Sequence, residues 1–416
     1  MVKITILGCG NQGVGLAGLL SKEADVETIV LADQDKSLAS RGKELVNSLQ
    51  DINPNATIQT QVVDANSIKD IYQIAQGSDV IVNAILPSCN IPVMKACIEL
   101  KAHYLDLYSY PFPEKGIPEE QTIDAQLELD VQFKDNGITA FPCVGVNPGF
   151  TDLAAYYLME GLDSVDSVIL RDVDWLNSTK LVALVTPSII FDVFLGEPYP
   201  MDIENGKPKK VGFLEAREVF EFPEPVGWEP IYPTTKPVSS HLIQRFSNKP
   251  IRLLSERFGL PSGGLETKDV LMKAISEQTA DYIGNSEHDL FEIWGNAFIP
   301  GIDFKRVYDE GIIKDGAFVE VVEVTGEVNG EFVRRKLSYT CTLKEAMQYL
   351  PWAGSNVYAT IGGVPIELVL MLARKEFTSP GVLTMANLLD YKGILNRIIK
   401  RGIGITENRH INSIGG

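Results

Sequence analysis

Residues 3–13 read K-I-T-I-L-G-C-G-N-Q-G, and this stretch decides the fold. Residues 4–7 form a short apolar run, which is typical of a parallel strand buried on both faces. Gly8, Gly10 and Gly13 follow at once with the spacing G-x-G-x-x-G. The first glycine permits a tight turn, the second lets the backbone approach a pyrophosphate, and the third lets a helix pack on the strand. The stretch therefore predicts a strand followed by a phosphate-binding loop.

The flanking residues supply the context that a glycine triplet needs. Leu16, Leu19 and Leu20 recur at helical spacing, and residues 28–32 form a second apolar run that ends at Asp33. Asp33 lies 25 residues after the first glycine, where an acidic side chain accepts hydrogen bonds from an adenosine ribose. These features predict a dinucleotide-binding Rossmann unit; a glycine-rich turn in a fold that binds nothing is the alternative.

Length and composition limit the class of protein. The chain has 416 residues, 45% apolar and 22% charged, which indicates a globular protein of two or three domains. Its net charge of −18 argues against nucleic acid or a membrane surface as partner. Five irregularly spaced cysteines without C-x-x-C predict neither disulfides nor a metal site. The N-terminal strand leaves no room for a signal peptide, and no apolar run approaches the roughly 18 residues of a membrane span, so we expect a cytoplasmic protein.

Strands and helices alternate in the first third of the chain. Further strands are predicted at residues 58–63, 79–84, 103–107 and 139–144. Helices are predicted at residues 36–49, 68–75, 92–100 and 124–136. This alternation predicts an α/β domain with a doubly wound parallel sheet, over residues 1–150. Ligands of such sheets bind at the carboxyl ends of the strands.

The pattern changes after about residue 151. Residues 168–173, 210–214 and 317–325 resemble strands, and residues 331–340 alternate and should pair with 317–325 across Asn329-Gly330. We therefore expect a second, α+β domain over residues 151–355, serving substrate binding and formation of a homodimer. The proline-rich residues 221–237 predict a loop or active-site wall.

The C-terminal part returns to helical patterns. Residues 359–376 and 388–401 predict two helices. We expect residues 356–416 to pack back on the Rossmann domain.

The stretch G-V-N-P-G-F-T-D at residues 145–152 resembles the saccharopine dehydrogenase-like family, which carries a G-x-D/N-P-G segment after its sixth strand. V-I-V-N-A-I-L-P at residues 80–87 resembles the family's loop beside the nicotinamide, and G-G-V-P-I-E at residues 362–367 its returning terminus. The family includes saccharopine reductases, lysine 6-dehydrogenase and carboxynorspermidine dehydrogenase. The resemblance implies NAD(P)-dependent chemistry at an amine or imine carbon of a small-molecule substrate, either an amino acid or a polyamine-like amine.

The predicted cofactor contacts follow from the loops at the strand ends and from the resemblance. They are Gly8, Gly10, Asn11, Gln12, Gly13, Asp33, Asp64, Ala84, Ile85, Leu86, Asn147, Pro148 and Gly149. Asp33 and Asp35 should repel a 2′-phosphate, which favours NAD over NADP, although Lys36 and Arg41 leave NADP possible. Asp64 is predicted to meet the adenine edge, with a strand-end turn as the alternative.

Candidate residues for proton transfer are chosen by their place in the predicted sheet and wall. Asp106 ends a strand at the ligand edge and is the first candidate for acid/base or amine anchor, with a cap as the alternative. Tyr108 follows it, with packing as the alternative. Lys236 and His241 lie in or beside the proline-rich wall, and Arg171 in the second domain is a candidate for a substrate carboxylate. Lys236 and His241 each have solvated surface as the alternative.

Two other functions remain open at this point. A sugar or aldehyde dehydrogenase can share this plan, but many such sugar enzymes carry E-K-P after the fourth strand, where this chain reads I-L-P-S-C. A dinucleotide-binding regulatory protein without turnover is the other alternative. It would bind the cofactor and reduce none.

Overall fold

The structure is a computed structural model, and its description covers most of the chain. The described residues are 2–111, 113, 118–179, 182–183, 200–212, 214–235, 237–259, 299–300, 304–377 and 379–411. The prediction for Lys236 lies outside them. The chain divides into two compact units. The first unit is Met1–Leu153 with Val357–Arg401, and the second is Ala154–Asn356 with Gly402–Gly416.

The first unit is built on a parallel sheet of seven strands. They are β1 (Val2–Leu7), β2 (Val26–Asp33), β3 (Thr57–Val62), β4 (Val80–Asn83), β5 (His103–Asp106), β6 (Thr139–Phe141) and β17 (Gly381–Val382). Their order is β17-β6-β5-β4-β1-β2-β3. Because β2 and β4 lie on opposite sides of β1, the strand order reverses at β1, where a doubly wound sheet opens a crevice for a ligand. The predicted fold class is confirmed for this unit.

The helices of the described chain are mostly short. They are α1 (Asn11–Leu20), α2 (Lys36–Asn47), α3 (Ile68–Ile74), α4 (Asn90–Leu100), α5 (Ile123–Leu127), α6 (Asp130–Asp135), α7 (Phe150–Met159), α8 (Val238–Phe246), α9 (Phe304–Asp309), α10 (Leu343–Tyr349), α11 (Ser355–Gly362), α12 (Val364–Ala373) and α13 (Tyr391–Lys400). The helix predicted over residues 124–136 is two helices, α5 and α6. The helix predicted over residues 359–376 is also two, because Pro365 lacks an N–H and fits only the first turn of a new helix.

One helical stretch in the described chain, Ser355–Ala373, is long and apolar enough to cross a membrane by length and composition, with a mean hydropathy of 1.5. The protein buries 89% of that window. Core helices of soluble proteins pass the same test, so the stretch is weak evidence for a membrane span.

The second unit is built on a mixed sheet. Its strands are β7 (Ser164–Ser178), β9 (Met201–Glu204), β10 (Lys207–Lys210), β11 (Glu218–Phe222), β12 (Gly227–Pro233), β13 (Ile251–Gly259), β15 (Ile313–Val328), β16 (Glu331–Thr342) and β18 (Gly404–Ile411). The main order is β10-β9-β13-β7-β15-β16-β18, and β12 joins β11 to β13. A separate pair is formed by β8 (Val182–Ala183) and β14 (Ile299–Pro300). The predicted α+β class of this unit is confirmed.

Three segments of the second unit compare directly with the sequence predictions. The hairpin of β15 and β16 forms as predicted, and Asn329 and Gly330 both have positive φ, 52° and 80°, as a tight hairpin turn requires. The segment predicted as loop, residues 221–237, instead contributes to the hairpin of β11 and β12. Residues 356–416 were expected to pack back on the first unit; Val357–Arg401 belongs to that unit, whereas Gly404–Ile411 pairs with β16 in the second unit.

Candidate active site

The glycine loop after β1 is shaped by backbone contacts. Gly8 has φ +99°, and a Cβ there would lie 2.7 Å from the carbonyl oxygen of Ala84. A Cβ on Gly13 would lie 2.0 Å from the carbonyl oxygen of Gly8. A Cβ on Gly10 would meet nothing within 4 Å. Packing therefore requires the first and third glycines, whereas the second faces open space.

The start of α1 offers the donors that a pyrophosphate needs. Gly10 is its N-cap and provides no side-chain hydrogen bond, and the first turn contains no acidic residue. Asn11 and Gln12 are half-buried in this turn, and Oε1 of Gln12 is buried without a partner among the described residues. A helix N-terminus with open N–H groups binds anions. The loop therefore fits a dinucleotide.

Asp33 at the end of β2 holds the glycine loop. Its Oδ2 accepts a 2.8 Å hydrogen bond from the amide of Cys9, and its Oδ1 accepts one of 3.0 Å from the amide of Asp35. Burial, and then the charge of Asp33, raise the pKa of the Cys9 thiol to about 12. Cys9 is therefore an unreactive thiol in this loop.

Asp35 caps the helix that follows β2, and its predicted repulsion of a 2′-phosphate stays a prediction. Its Oδ1 accepts hydrogen bonds of 2.7 Å from the amide and 2.6 Å from the hydroxyl of Ser37. It is the N-cap of α2, which lowers the pKa of its carboxyl through the Ser37 hydroxyl and amide. Of the two acids, only Asp33 contacts the glycine loop.

The remaining predicted cofactor residues lie in loops that follow the strands. Asp64 is exposed and accepts a 2.9 Å hydrogen bond from the amide of Asn66, so it forms the turn that was its alternative reading. Ala84 donates to the carbonyl of Leu7 at 2.8 Å, which places the loop of Ala84, Ile85 and Leu86 beside the glycine loop. Leu86 is 62% exposed there.

The loop from Gly145 to Gly149 follows β6, and its two ends are hydrogen-bonded to each other. The amide of Gly145 donates to the carbonyl of Pro148 at 2.6 Å. Gly149 has φ +123°, and a Cβ there would lie 2.4 Å from the carbonyl oxygen of Gly145. Asn147, which is half-buried, and Pro148 lie inside this closed turn. The turn therefore depends on glycine for both conformation and space.

Asp106 lies deeper than the sequence suggested. It is 1% exposed, and its Oδ1 accepts a 2.8 Å hydrogen bond from the amide of Cys143, while its Oδ2 accepts one of 2.6 Å from Gln126. Burial raises its pKa to about 7, although the hydrogen bonds from Cys143 and Gln126 act in the opposite direction. Asp106 was expected to meet substrate, but this side chain is enclosed by the protein.

Asp106 belongs to a set of four buried polar side chains that we call the polar network: Asn83, Asn90, Asp106 and Gln126. Nδ2 of Asn90 lies 3.3 Å from Oε1 of Gln126, and Nδ2 of Asn83 donates to Oδ1 of Asn90 at 2.7 Å. Sequence reasoning missed this network. Its signal is a polar residue at a strand end or helix start within otherwise apolar elements.

The other candidates for proton transfer are less enclosed. Tyr108 is half-buried, and its ring packs edge-on against Tyr110 with 5.4 Å between centroids. His241 is half-buried on α8, and its amide donates to the carbonyl of Pro237. Lys236 lies outside the described residues. Tyr108 and His241 are in different units, and each stays a prediction.

Arg171 is committed to partners inside the second unit. Its Nε lies 3.1 Å from Oε2 of Glu218, and Nη1 lies 3.9 Å from Oε1 of Glu323. Its guanidinium also stacks over the ring of Phe220, 4.6 Å from the centroid. Nη1 is buried without a hydrogen-bond partner among the described residues, and the role of Arg171 in holding a substrate carboxylate stays a prediction.

The second unit also holds buried acids that the sequence analysis did not single out. We call them the acidic cluster: Asp172, Asp174, Glu256 and Glu320, each at most 4% exposed. Glu320 pairs directly with Asp172 across β15 and β7. Burial first, and then neighbouring carboxylates, raise the pKa of Asp172 and of Glu320. The signal in the sequence is an acid at an inward position of a long apolar strand.

Within the ranges that the structure describes, no group of three or more His, Cys, Asp and Glu residues is arranged to hold a metal ion. Three of the four acids, Asp172, Asp174 and Glu320, each have a carboxylate oxygen that is buried without a hydrogen-bond partner in that part of the chain. Burial without a cation or hydrogen-bond donor raises the free energy of a carboxylate, so the buried environment favours the protonated form of these groups.

Comparison with known proteins agrees with the geometry of the first unit. Residues 4–141 match the family described as saccharopine dehydrogenase NADP binding domain. Over 178 residues the chain is 29% identical to carboxynorspermidine synthase of Vibrio cholerae, covering 39% of this chain and 42% of the relative. Over 168 residues it is 27% identical to carboxyaminopropylagmatine dehydrogenase of Synechocystis sp., covering 40% of each. The aligned part spans less than half the length of these curated relatives.

A solved structure has a similar fold over the full chain. It is apo saccharopine dehydrogenase (L-Glu forming) from Saccharomyces cerevisiae, with a TM-score of 0.68 and 13% identity, covering 99% of this chain and 100% of that one. At this identity the likeness shows the fold. The predicted resemblance and the predicted NAD(P) type of the cofactor are confirmed.

Proposed function

We propose that this chain, whose first unit carries an NADP-binding domain of the saccharopine dehydrogenase type, is an NAD(P)-dependent oxidoreductase acting at the CH–NH or CH–NH2 carbon of an amino acid or polyamine-like amine. One observation carries the cofactor half of the proposal. Gly10 leaves the start of α1 open, and Asp33 holds the same loop from the end of β2.

The amine half rests on the relatives. Carboxynorspermidine synthase and carboxyaminopropylagmatine dehydrogenase are both named after amine compounds. The net charge of −18 agrees with a cationic substrate, because an acidic protein attracts cations and slows the approach of anions.

The nicotinamide, when bound, supplies the hydride acceptor or donor. The chain's own residues would bind and orient it: the glycine loop and Asp33 on one side of β1, and the loops after β4, β5 and β6 on the other. We propose NAD as the preferred form, because the Asp33 carboxylate would repel a 2′-phosphate. We also propose that the enzyme is a cytoplasmic homodimer, and light scattering of the purified protein tests the dimer.

A turnover screen tests the proposal. The purified chain is incubated at alkaline pH with NAD or NADP and a panel of amino acids, diamines and polyamines, and reduced cofactor is measured at 340 nm. Alkaline pH favours amine oxidation, because it leaves the amine neutral and takes up the released proton. Gly10→Val serves as the inactive control.

Two outcomes would contradict the proposal. Reduction with sugars or aldehydes but with no amine would favour the sugar or aldehyde alternative. Tight cofactor binding with no turnover of any compound, also in the reverse direction with an amine, a carbonyl compound and NADH, would favour a regulatory protein.

A further inference from the structure

The polar network of the first unit connects segments that follow three different strands. After β4, Asn83 accepts a 3.2 Å hydrogen bond from the amide of Ile85. After β5, Asn90 donates to the carbonyl of Tyr108 at 3.0 Å. Asp106, the last residue of β5, accepts from a backbone amide of the segment after β6. Each contact fixes one strand-end segment at the carboxyl edge of the sheet.

Gln126 joins the two halves of this network. Its Oε1 accepts from Asn90 at 3.3 Å, and its Nε2 donates to Asp106 at 2.6 Å. Gln126 is 0% exposed and lies on the short helix α5. Without its amide, Asn83 and Asn90 lose their side-chain connection to Asp106, which accepts from the amide of Cys143 in the segment after β6. Loss of Gln126 would also remove one hydrogen bond each from the buried side chains of Asn90 and Asp106.

The place of these segments indicates which part of a dinucleotide they meet. A doubly wound sheet binds the two nucleotide halves on opposite sides of its switch point. The side of β1 that contains β2 and β3 carries Asp33, which the motif assigns to the adenosine ribose. The segments after β4, β5 and β6 lie on the other side of β1. They therefore border the nicotinamide half.

We propose that Gln126 is a positioning residue, which holds the three strand-end segments in the arrangement that binds the nicotinamide half of the cofactor. The inference rests on the proposed NAD(P)-dependent function. It predicts that a substitution of Gln126, which is fully buried, weakens binding of the nicotinamide half of the cofactor and leaves binding of the adenosine half unchanged.

The test compares two ligands that differ only by the nicotinamide. NADH and ADP-ribose are titrated against the wild type and against Gln126→Met, which keeps the length of the side chain and removes both hydrogen-bonding groups. Gln132→Met on the neighbouring α6 is the matched control, because Gln132 is exposed. Gln126→Met should weaken NADH binding about tenfold and ADP-ribose binding less than about twofold. The Gln132→Met control should bind both ligands like the wild type.

Unchanged NADH affinity in folded Gln126→Met would overturn the inference, and so would equal weakening of both ligands, which indicates general loosening. If Gln126→Met does not fold, Asn83→Ser is a milder substitution in the same network. We expect it to weaken NADH binding more than ADP-ribose binding, as for Gln126→Met. Failure of the proposed function looks different. In that case the wild type itself binds neither NADH nor NADPH, and the premise of the inference falls with it.

Discussion

The amide of Cys9 donates a 2.8 Å hydrogen bond to Oδ2 of Asp33, so the acid at the end of β2 holds the glycine loop after β1. The same carboxylate is the group that the motif assigns to the adenosine ribose. One side chain therefore holds the loop that we assign to the pyrophosphate, and we propose that it also discriminates between NAD and NADP.

We predict that Asp33→Ala weakens NADH binding by roughly tenfold or more and narrows the preference over NADPH. The variant loses both the ribose acceptor and the support of the glycine loop, and it no longer repels a 2′-phosphate. Dissociation constants for both cofactors measure this. Asp35→Ser is the control, because a serine still caps α2. Tighter binding of NADPH than of NADH by the wild type would contradict the assignment.

We predict that Gly10→Val abolishes cofactor binding and leaves the fold intact. Gly10 has φ −75° and ψ −173°, which valine adopts without strain, and a Cβ there meets no protein atom within 4 Å. NADH titration and thermal unfolding measure the two effects. Gly13→Ala is the contrast, since its Cβ would lie 2.0 Å from a carbonyl oxygen and should lower the melting temperature. A Gly10→Val protein with wild-type affinity would show that the pyrophosphate lies elsewhere.

Asp106→Asn should change the pH dependence of stability. The folded pKa of Asp106 is raised to about 7 by burial. The contribution of Asp106 to the free energy of unfolding is therefore complete below its pKa in the unfolded chain, about 3.9. That contribution is lost as pH rises through about 7, at up to about 1.4 kcal/mol per pH unit. Urea unfolding at pH 6 and pH 8 measures this. The wild type should lose about 1 kcal/mol more than Asp106→Asn over this interval, and parallel curves for the two proteins would refute the prediction.

Glu320→Gln should stabilise the protein at pH 8. Glu320 is 0% exposed, lies opposite Asp172, and has a pKa raised by burial and by that neighbouring carboxylate. Because the pKa is higher in the folded state, the contribution of Glu320 to the free energy of unfolding is lost as pH increases. A neutral amide does not titrate and avoids this loss. We expect a gain of about 1 kcal/mol or more, measured by thermal unfolding.

Glu327→Gln, at an exposed position of the same strand, is the matched control and should leave the melting temperature unchanged. A lower melting temperature for Glu320→Gln than for this control would contradict the prediction. That result would mean that the charge of Glu320 has a partner that stabilises it.

The first unit was largely predictable because its signals are local. The apolar run of β1, the three glycines and Asp33 all lie within 33 residues of the N-terminus, and each has a steric or hydrogen-bonding requirement that few residue types meet. The hairpin turn at Asn329-Gly330 was predictable for the same reason, since both positions need positive φ. Helix breaks were harder to predict from the sequence, because the single helix predicted over residues 359–376 is divided between α11 and α12.

The roles of the charged candidates depended on neighbours that are distant in sequence. Arg171 was predicted as a carboxylate ligand from its residue type, and only the fold shows that it lies beside Glu218 and Glu323. Asp106 was correctly placed at a strand end, but only the packing of α5 brought Gln126 to its carboxylate. Periodicity does not report which side chains meet across elements.

The sequence by itself determined the nucleotide-binding loop, because backbone sterics at three glycines and one strand-end acid are properties of a short segment. Only the tertiary structure decided the chemistry of the buried acids. Asp172 and Glu320 are 148 residues apart in the chain and become neighbours through the register of β7 and β15. Their pKa values depend on loss of water and on mutual repulsion, and both causes exist only once the sheet has formed.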